Sequence, residues 1–373
     1  MRRFTPLLAV AVFAAACADS PTGPSEELAP FHPALGANAV YGSYIVVLKD
    51  GADPRSVAAI SGVRPSHVYT TALNGFAAEL NQGQLNALRR NPNVAYIEAD
   101  GIASIPQPRV DARPGGGGGG QTVPWGVAYV GGAGDGTGKT AWVIDTGIDL
   151  DHPDLNVDVA RSRNFVTQGT NTTGDDGNGH GTHVAGTIGA INNSIDVVGV
   201  AANASVVAVR VLSNSGSGQW SWIIAGVDYV ASAGRSGDVA NMSLGGPANT
   251  SVDNAVANAA SKGIRFTLAA GNDGDHANNH SPARVNGTNI YTVSAIASSG
   301  CLTSWSNYGN PPVDYAEPGS GILSTRKGGG TTTMSGTSMA APHLAGLLLL
   351  GNVATIGRAC NDPDGNPDPI GGR

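Results

Sequence analysis

The sequence predicts an α/β protein, in which a large, mostly parallel and doubly wound sheet follows a small α+β domain. From residue 125 onward, apolar strand-like runs alternate with helix-like segments. Before that point, two short helix candidates lie among short strand-like runs, and a Pro- and Gly-rich stretch separates the two regions. A chain of 373 residues is long enough for one large domain and one smaller domain.

Five apolar runs form the predicted strands of the large domain, at residues 140–144, 206–211, 239–244, 265–270 and 290–296. Segments 221–233 and 251–262 carry apolar residues at helical spacing and predict helices between strands. This alternation is typical of a parallel sheet that is covered on both faces. Because such sheets bind ligands beyond the carboxyl ends of their strands, we expect the chemistry directly after these runs.

The small domain has the pattern of an α+β fold. Its strand candidates are residues 44–48, 73–80 and 94–97, and its helix candidates are residues 54–60 and the segment that Asn81 would cap. Asp53 and Pro54 supply an N-cap and a first-turn proline for the first helix. A domain of this size is near the lower limit of independent stability.

The remaining segments complete the predicted organisation. We expect an export signal at 1–17, an extended tether at 18–40, the small domain at 41–103, a flexible linker at 104–122, the large domain at 123–360 and a tail at 361–373. Arg2 and Arg3 precede the apolar run of the signal, so the protein is expected outside the cell or in the periplasm. Cys17 follows three alanines, and lipidation there and removal with the signal both remain open.

Composition excludes some functions. The net charge of -7 offers nucleic acid no broad basic surface, and no apolar run after the signal is long enough to span a bilayer. Without Cys17, an even pair of cysteines remains in an oxidising compartment, Cys301 and Cys360. A disulfide is the default expectation for this pair, and two separately buried thiols are the alternative.

Three polar motifs fall where ligand chemistry is expected. Asp145 ends the first strand, His180 lies in a glycine-flanked turn before a small-residue helix, and Ser338 follows a sharp glycine turn. Each has an ordinary alternative: a turn aspartate, a metal-binding pair with His183, and a helix-capping serine. Zinc signatures place two histidines four apart with an intervening Glu, so a proton-accepting base is the better interpretation of His180.

Together, in the order Asp, His, Ser, these motifs resemble the subtilisin family of serine endopeptidases, and the stretch around His180 resembles its proteinase K branch. The resemblance implies that Ser338 is the nucleophile, that His180 is its general base and that Asp145 orients the imidazole. Asn272 matches the family's oxyanion residue. His183 is then expected to be a packed helix residue.

The resemblance also implies how substrate binds. Ser243, Leu244 and Gly245 match the edge segment that pairs with an extended peptide, and Ala270 and Gly271 match the opposite pocket wall. These walls contain no charge, so the resemblance implies broad specificity with an apolar or aromatic P1 residue, the residue on the amino side of the cleaved bond.

Residues 41–103 resemble the family's inhibitory prosegment, and this resemblance implies that the small α+β domain is ferredoxin-like. Such a prosegment assists folding and then holds its last strand in the cleft as an intramolecular inhibitor. Self-cleavage is expected between residues 100 and 122, at a bond that the glycine run obscures.

Calcium often stabilises this family, and Asp314 matches a structural site, with the carbonyl oxygens of Thr288 and Ile290 as companions. Catalysis itself needs no cofactor or metal. We expect a monomer that acts on proteins and peptides. One alternative is an inactive peptide-binding scaffold with the same fold. The other, a serine-carboxyl peptidase with an acidic base, is disfavoured by His180 and Asn272.

Overall fold

The computed structural model describes residues 28–34, 38–106, 109–110 and 120–373. The expected export signal with Cys17, much of the tether and most of the linker lie outside the described residues. Among the helices within the described ranges, none is long and apolar enough to cross a membrane.

Residues 28–106 contain the first folded unit. Its elements are β1 (Phe31–His32), β2 (Ala39–Leu48), α1 (Pro54–Ile60), β3 (His67–Tyr69), β4 (Gly75–Glu79), α2 (Gln82–Arg90) and β5 (Val94–Ser104). From β2 to β5 the element order is βαββαβ and the strand order is β5-β2-β4-β3, the ferredoxin-like arrangement that the sequence predicts. β1 adds a parallel strand beside β5, so part of the predicted tether packs on this sheet.

Local signals explain both helices of the first unit. The Asp53 carboxylate caps α1 by accepting hydrogen bonds from the Arg55 and Ser56 backbone N–H groups at 3.3 and 3.0 Å. Asn81 and Gln84 form a reciprocal capping box at the start of α2. Both helices pack on the sheet around the fully buried side chain of Phe76.

The second unit contains the remaining elements. These are β6 (Arg109–Val110), α3 (Trp125–Tyr129), β7 (Gly134–Asp135), β8 (Thr140–Asp145), β9 (Asn156–Val157), β10 (Arg163–Asn164), α4 (His180–Gly189), β11 (Ala201–Ala202), β12 (Ser205–Arg210), β13 (Ser217–Gln219), α5 (Trp220–Ala233), β14 (Val239–Met242), β15 (Gly246–Pro247), α6 (Thr250–Ala260), β16 (Arg265–Ala269), β17 (His280–Ser281), β18 (Ile290–Ile296), β19 (Val313–Pro318), β20 (Ile322–Thr325), β21 (Thr331–Ser335), α7 (Thr337–Leu350), β22 (Ala354–Arg358) and β23 (Pro369–Gly372).

The main sheet has the order β10-β12-β8-β14-β16-β18-β19-β23-β22, and only the β22–β23 pair along it is antiparallel. The five predicted strands and the two predicted helices are all present, with bounds that differ by at most two residues. The predicted mostly parallel α/β fold is confirmed.

Helices cover both faces of this sheet, as successive residues of β8 illustrate. Trp142 and Ile144 join the apolar cluster that includes α5 and α6, whereas Ala141 and Val143 join the cluster that includes α4 and α7. All four side chains are fully buried. Burial on both faces accounts for the continuous apolar run in the sequence.

The end of the chain also belongs to the main sheet. β23 pairs in parallel with β19, with Ala316 opposite Ile370, so part of the predicted tail forms an inner strand. A disulfide joins Cys301 to Cys360. The expected cystine is confirmed, and the alternative of two separate thiols is wrong.

Candidate active site

Asp145 and His180 meet at the carboxyl edge of the main sheet. Asp145 ends β8 and is fully buried, and its two carboxylate oxygens lie 2.8 and 3.0 Å from Nδ1 of His180, the first residue of α4. This contact favours the tautomer with the proton on Nδ1. Nε2 of His180 is buried and has no hydrogen-bond partner in the described part of the chain, so it is free to accept a proton.

Asp176 organises the loop that presents this histidine. Its Oδ1 accepts from the Thr146 hydroxyl and from the N–H groups of Asn178 and Gly179, each at 2.9 Å. Its Oδ2 accepts from the Thr182 N–H and hydroxyl at 3.0 and 2.6 Å. One carboxylate therefore ties the segment after Asp145 to the start of α4. No role was assigned to Asp176 from the sequence.

The second histidine of the motif is structural. His183 is fully buried, and its Nε2 lies 3.0 Å from the carbonyl oxygen of Ile322. Burial, assisted by the nearby His180, lowers the pKa of His183 to about 3. His183 is therefore neutral and packed, as expected.

Ser338 is the second residue of α7 and is fully buried. Its hydroxyl donates to the Ser243 carbonyl at 3.2 Å, and the Ser243 hydroxyl donates to the Ser338 carbonyl at 2.8 Å. The hydroxyl that sequence reasoning assigns to His180 thus bonds to Ser243 in this structure. To bond with His180 Nε2, the Ser338 hydroxyl has to leave that carbonyl.

Asn272, three residues beyond β16, is fixed by the start of α7. Its Oδ1 accepts from the N–H and the hydroxyl of Thr337, both at 2.9 Å. A Cβ atom on Gly336 would lie 3.1 Å from Nδ2 of Asn272 and 3.6 Å from the Ser338 nitrogen. Glycine at 336 therefore leaves space beside two N–H donors, the Asn272 side-chain amide and the Ser338 backbone N–H. The Ser338 N–H has no acceptor within α7, because the N–H groups of the first helical turn lack intrahelical partners.

The last part of β5 lies in a cleft of the second unit. Ser104 and Gly245 exchange two backbone hydrogen bonds at 2.9 and 3.0 Å, while β13 pairs with β5 on the opposite side. The Ile105 N–H donates to the Gly216 carbonyl at 2.9 Å. This segment is thus a central strand between two edges of the second unit. Sequence reasoning identified the edge at Gly245 but missed the edge at β13, whose short Gly-Ser-Gly run was its only signal.

Of the remaining residues predicted to bind substrate, some line a cavity and one is buried in the core. Ala270, Gly271 and Gly245 all line a cavity of about 480 Å³, together with Ser104. Leu244 instead is fully buried in the apolar core, so its side chain does not form a pocket wall. The expectation of an uncharged pocket is incomplete, because the cavity lining also includes Asp273, Asp275 and His280.

Three carboxylates hold the two units together. Glu98 on β5 accepts from the Thr250 and Ser251 N–H groups at 2.9 and 2.8 Å, at the start of α6. Asp100 on the same strand accepts from the Ser221 N–H at 3.2 Å, near the start of α5, and burial raises the pKa of Asp100. Carboxylates are favourable at helix N-termini because unpaired N–H groups and the helix dipole meet there.

The third carboxylate lies on the second unit and accepts hydrogen bonds from the first unit. Asp228 on α5 accepts from the Thr71 and Ala72 N–H groups of the first unit at 2.8 and 2.7 Å. The two units therefore exchange charge-assisted hydrogen bonds in both directions.

Asp314, the expected calcium residue, lies on β19. Its carboxylate accepts from the Thr292 N–H at 2.9 Å, and burial raises the pKa of Asp314 to about 6. Across the described ranges, no cluster of three or more His, Cys, Asp or Glu side chains could hold a metal. Backbone carbonyl oxygens would have to supply most ligands of a cation at this position.

The chain is similar to known proteins over most of its length. The models of the subtilase family and of peptidase inhibitor I9 match residues 136–351 and 43–105. Proteinase R of Parengyodontium album is 38% identical over 353 residues, which are 89% of this chain and 84% of that protein. The subtilisin-like serine protease AsES of Sarocladium strictum is 40% identical over 344 residues, 86% of this chain and 82% of that protein. The crystal structure of a cold adapted subtilisin-like serine proteinase matches with 44% identity and a TM-score of 0.56, over 61% of this chain and 83% of that chain.

Proposed function

The chain belongs to the subtilase family and is a serine endopeptidase, and from this premise we propose that it cuts proteins with Ser338, His180 and Asp145 as its catalytic triad. The observation that carries the proposal is the buried pairing of His180 Nδ1 with Asp145, because it leaves Nε2 as a free base. We propose that the protein is exported and is made as a self-inhibited zymogen.

Acylation begins when a substrate strand replaces residues 102–105 in the cleft. The Ser338 hydroxyl leaves the Ser243 carbonyl, and His180 Nε2 takes its proton as Oγ attacks the substrate carbonyl carbon. Asn272 Nδ2 and the Ser338 N–H donate to the oxyanion that forms. The C–N bond then breaks as His180 protonates the leaving amine, and an ester of Ser338 remains.

Deacylation uses the same groups. A water molecule gives a proton to His180 Nε2 and attacks the ester carbon, and the collapse of the second tetrahedral intermediate returns that proton to Ser338 Oγ. Asp145 stabilises the imidazolium in both steps.

Broad specificity is the second part of the proposal. Backbone pairing at Gly245 and at β13 recognises the extended conformation of a peptide and does not depend on particular side chains. The walls at Gly245 and Ala270 are small and uncharged, which suits a long apolar or aromatic P1 side chain.

Self-inhibition is the third part. The inserted end of β5 occupies the place of a substrate, and Glu98, Asp100 and Asp228 anchor the unit that carries it. Self-cleavage between residues 100 and 122 would release this strand. Relatives include the "Extracellular serine proteinase" of Thermus sp. (strain Rt41A), which supports export, whether the mature protein is free or lipid-anchored at Cys17.

Calcium at Asp314 is a separate proposal. A bound cation would offset the cost of burying this carboxylate, and the carbonyl oxygens of Thr288 and Ile290 are the other proposed ligands. Chelation should lower the melting temperature of the Ser338→Ala protein and leave that of Ser338→Ala/Asp314→Asn unchanged. Equal sensitivity of the two proteins would remove Asp314 from any calcium site.

The test of the main proposal compares residues 18–373 as wild type, Ser338→Ala and Ser236→Ala, the last a matched change of an exposed serine. Intact mass should show cleavage between residues 100 and 122, with casein hydrolysis, in wild type and Ser236→Ala only. If folded wild-type protein stays uncut and inert, the inactive scaffold becomes the better account. If Ser338→Ala also trims itself and digests casein, Ser338 is not the nucleophile.

A further inference from the structure

Arg210 is a buried cation close to the catalytic residues. It ends β12 directly opposite Asp145 of the neighbouring strand β8, and it is only 2% exposed. Its Nε and Nη1 atoms are buried and have no hydrogen-bond partner in the ranges that the structure describes. A buried guanidinium is costly unless nearby groups compensate its charge. The contacts that Arg210 does make therefore indicate what it is for.

The third guanidinium nitrogen of Arg210 contacts the turn before β13. Arg210 Nη2 donates to Oδ1 of Asn214 at 2.8 Å. Asn214 is exposed, and an exposed amide has no fixed orientation of its own. A guanidinium is planar and donates in fixed directions, so this hydrogen bond orients the Asn214 side chain from the protein interior.

Asn214 packs on the loop that carries the proposed general base. A Cβ atom on Gly177 would overlap the amide group of Asn214, so this amide rests directly against the loop backbone. The Asn214 carbonyl oxygen accepts from Nδ2 of Asn178 at 2.9 Å. Oδ1 of Asn178 accepts in turn from the backbone N–H of His180 at 3.2 Å. A continuous path of contacts therefore runs from Arg210 to the backbone of His180.

The charge of Arg210 acts on the same loop. Burial lowers the pKa of the Arg210 guanidinium, whereas the negative charges of Asp176 and Asp175 act to raise it. Both carboxylates are therefore within electrostatic range of Arg210. Asp176 is the residue that ties the segment after Asp145 to the start of α4. A cation on the interior side of the loop attracts this carboxylate and so helps to hold the loop in place.

We propose that Arg210 and Asn214 form a clamp that positions His180 for proton transfer with Ser338. The inference rests on the proposed function, since it adds positioning residues to the proposed general base. Both residues act through the backbone of the loop and not on the reacting atoms. A displacement of about 1 Å in a catalytic group can cost about 100-fold in rate, so the clamp should affect kcat and leave KM nearly unchanged.

The experiment measures kcat and KM of activated enzymes on one peptide p-nitroanilide, with active sites counted by titration so that unfolded protein does not contribute. Arg210→Met removes the guanidinium and keeps an unbranched stem. We expect its kcat to fall about 10- to 100-fold, with KM within about twofold of wild type. Arg210→Lys keeps a cation that can donate to Asn214, and it should bring kcat back to within about fivefold of wild type.

Variants at Asn214 test the clamp from its exposed end, where a substitution disturbs folding least. Asn214→Ala removes the amide and should lower kcat about three- to tenfold. Asn214→Asp keeps an acceptor for Nη2 of Arg210 and should behave nearly as wild type. Asn352→Ala is the matched control, because Asn352 is an exposed asparagine in the turn between α7 and β22, and its kcat should be unchanged.

The double variant Arg210→Met/Asn214→Ala separates one clamp from two independent effects. If both residues act along one path, the double variant should lose no more kcat than Arg210→Met alone. Losses that multiply in the double variant would overturn the inference, and so would equal kcat values for wild type, Arg210→Met and Asn214→Ala.

If Arg210→Met yields no folded protein, the two Asn214 variants decide the matter. A loss of kcat in Asn214→Ala that Asn214→Asp restores supports the clamp, and an unchanged kcat in Asn214→Ala overturns it. The proposed function stands in either case as long as wild type cleaves the peptide. A folded, activated wild type that cleaves no peptide would contradict the proposed function itself.

Discussion

Asn272 owes its orientation to Thr337, since two hydrogen bonds from Thr337 fix its side-chain oxygen and turn its amide nitrogen toward the space beside Gly336. The sequence motif alone predicts an oxyanion donor here but not the residue that aims it. A donor that is already oriented costs no reorganisation when charge develops on the substrate oxygen.

Replacing Asn272 with Ala should lower kcat about 100- to 1,000-fold, the cost measured when the corresponding donor is removed from subtilisin itself. KM should change little, because the lost hydrogen bond forms mainly in the transition state. Steady-state kinetics on one peptide p-nitroanilide would check this. A kcat within threefold of wild type would remove Asn272 from the oxyanion site.

Buried histidines should make the fold sensitive to acid. His343 is fully buried in α7, and burial lowers its pKa to about 4, although its Nδ1 contacts the Met339 carbonyl at 2.8 Å. The unfolded chain, with a histidine pKa of about 6.5, binds a proton that the folded chain excludes. The free energy of unfolding therefore falls as the pH drops from about 6.5 toward 4.

In the Ser338→Ala background, His343→Gln should reduce the loss of unfolding free energy between pH 7 and pH 5 by about 2 kcal/mol. Denaturant titrations at the two pH values measure this difference directly. An unchanged difference would mean that His343 is not held neutral by burial.

At the scale of elements, β5 links inhibition to the fold. Its first half is part of the ferredoxin-like sheet, its second half lies in the cleft, and Glu98 and Asp100 between them contact the starts of α6 and α5. A single strand thus positions both the anchors and the inhibitory segment.

Glu98→Gln should shorten the lag before activity appears, because it removes a charge that is 4% exposed at a helix N-terminus. The loss weakens docking by about 1–2 kcal/mol. Progress curves of peptide hydrolysis by the activating full chain measure the lag. Glu79→Gln, an exposed change on β4, is the control and should behave as wild type. Equal lags for all three proteins would contradict an anchoring role for Glu98.

Sequence patterns identified elements well where burial is strong on both faces. β8 is an apolar run and β18 is a largely buried strand of apolar and small residues, and both were predicted to within one residue. The extension of β5 to Ser104 was missed because its partners lie in another unit, far away in sequence. β23 was missed because Pro369 and two glycines resemble an irregular tail.

The residues of the site also fall into two groups, those with a recognisable sequence motif and those whose role depends on tertiary packing. Asp145, His180 and Ser338 carry motifs that can be read from the chain, but the contact of the Ser338 hydroxyl with Ser243 depends on tertiary packing. Asp273 could not be assigned to the pocket from the sequence, because its position in the cavity lining depends on the path of the loop after Asn272.

At the scale of the whole molecule, the C-terminal hairpin closes one side of the main sheet. The disulfide between Cys301 and Cys360 spans 59 positions and ties this hairpin to the segment after β18. A cross-link over a loop of that length lowers the entropy of the unfolded chain.

Cys301→Ser/Cys360→Ser should therefore lose about 4 kcal/mol of unfolding free energy in the Ser338→Ala background. Denaturant titration of the oxidised parent and of the double variant measures the loss. A difference below about 1 kcal/mol would show that the hairpin is held by its strand pairing alone.

The most direct test of the catalytic account is covalent labelling with diisopropyl fluorophosphate, followed by peptide mass mapping. A serine becomes reactive toward this reagent when a neighbouring base takes its proton. We predict one adduct, on Ser338, in the activated wild type. Full-length protein held before activation should stay unlabelled, because residues 102–105 fill the cleft. An activated, casein-digesting enzyme that is unlabelled, or labelled at another serine, would contradict the assignment of Ser338, His180 and Asp145.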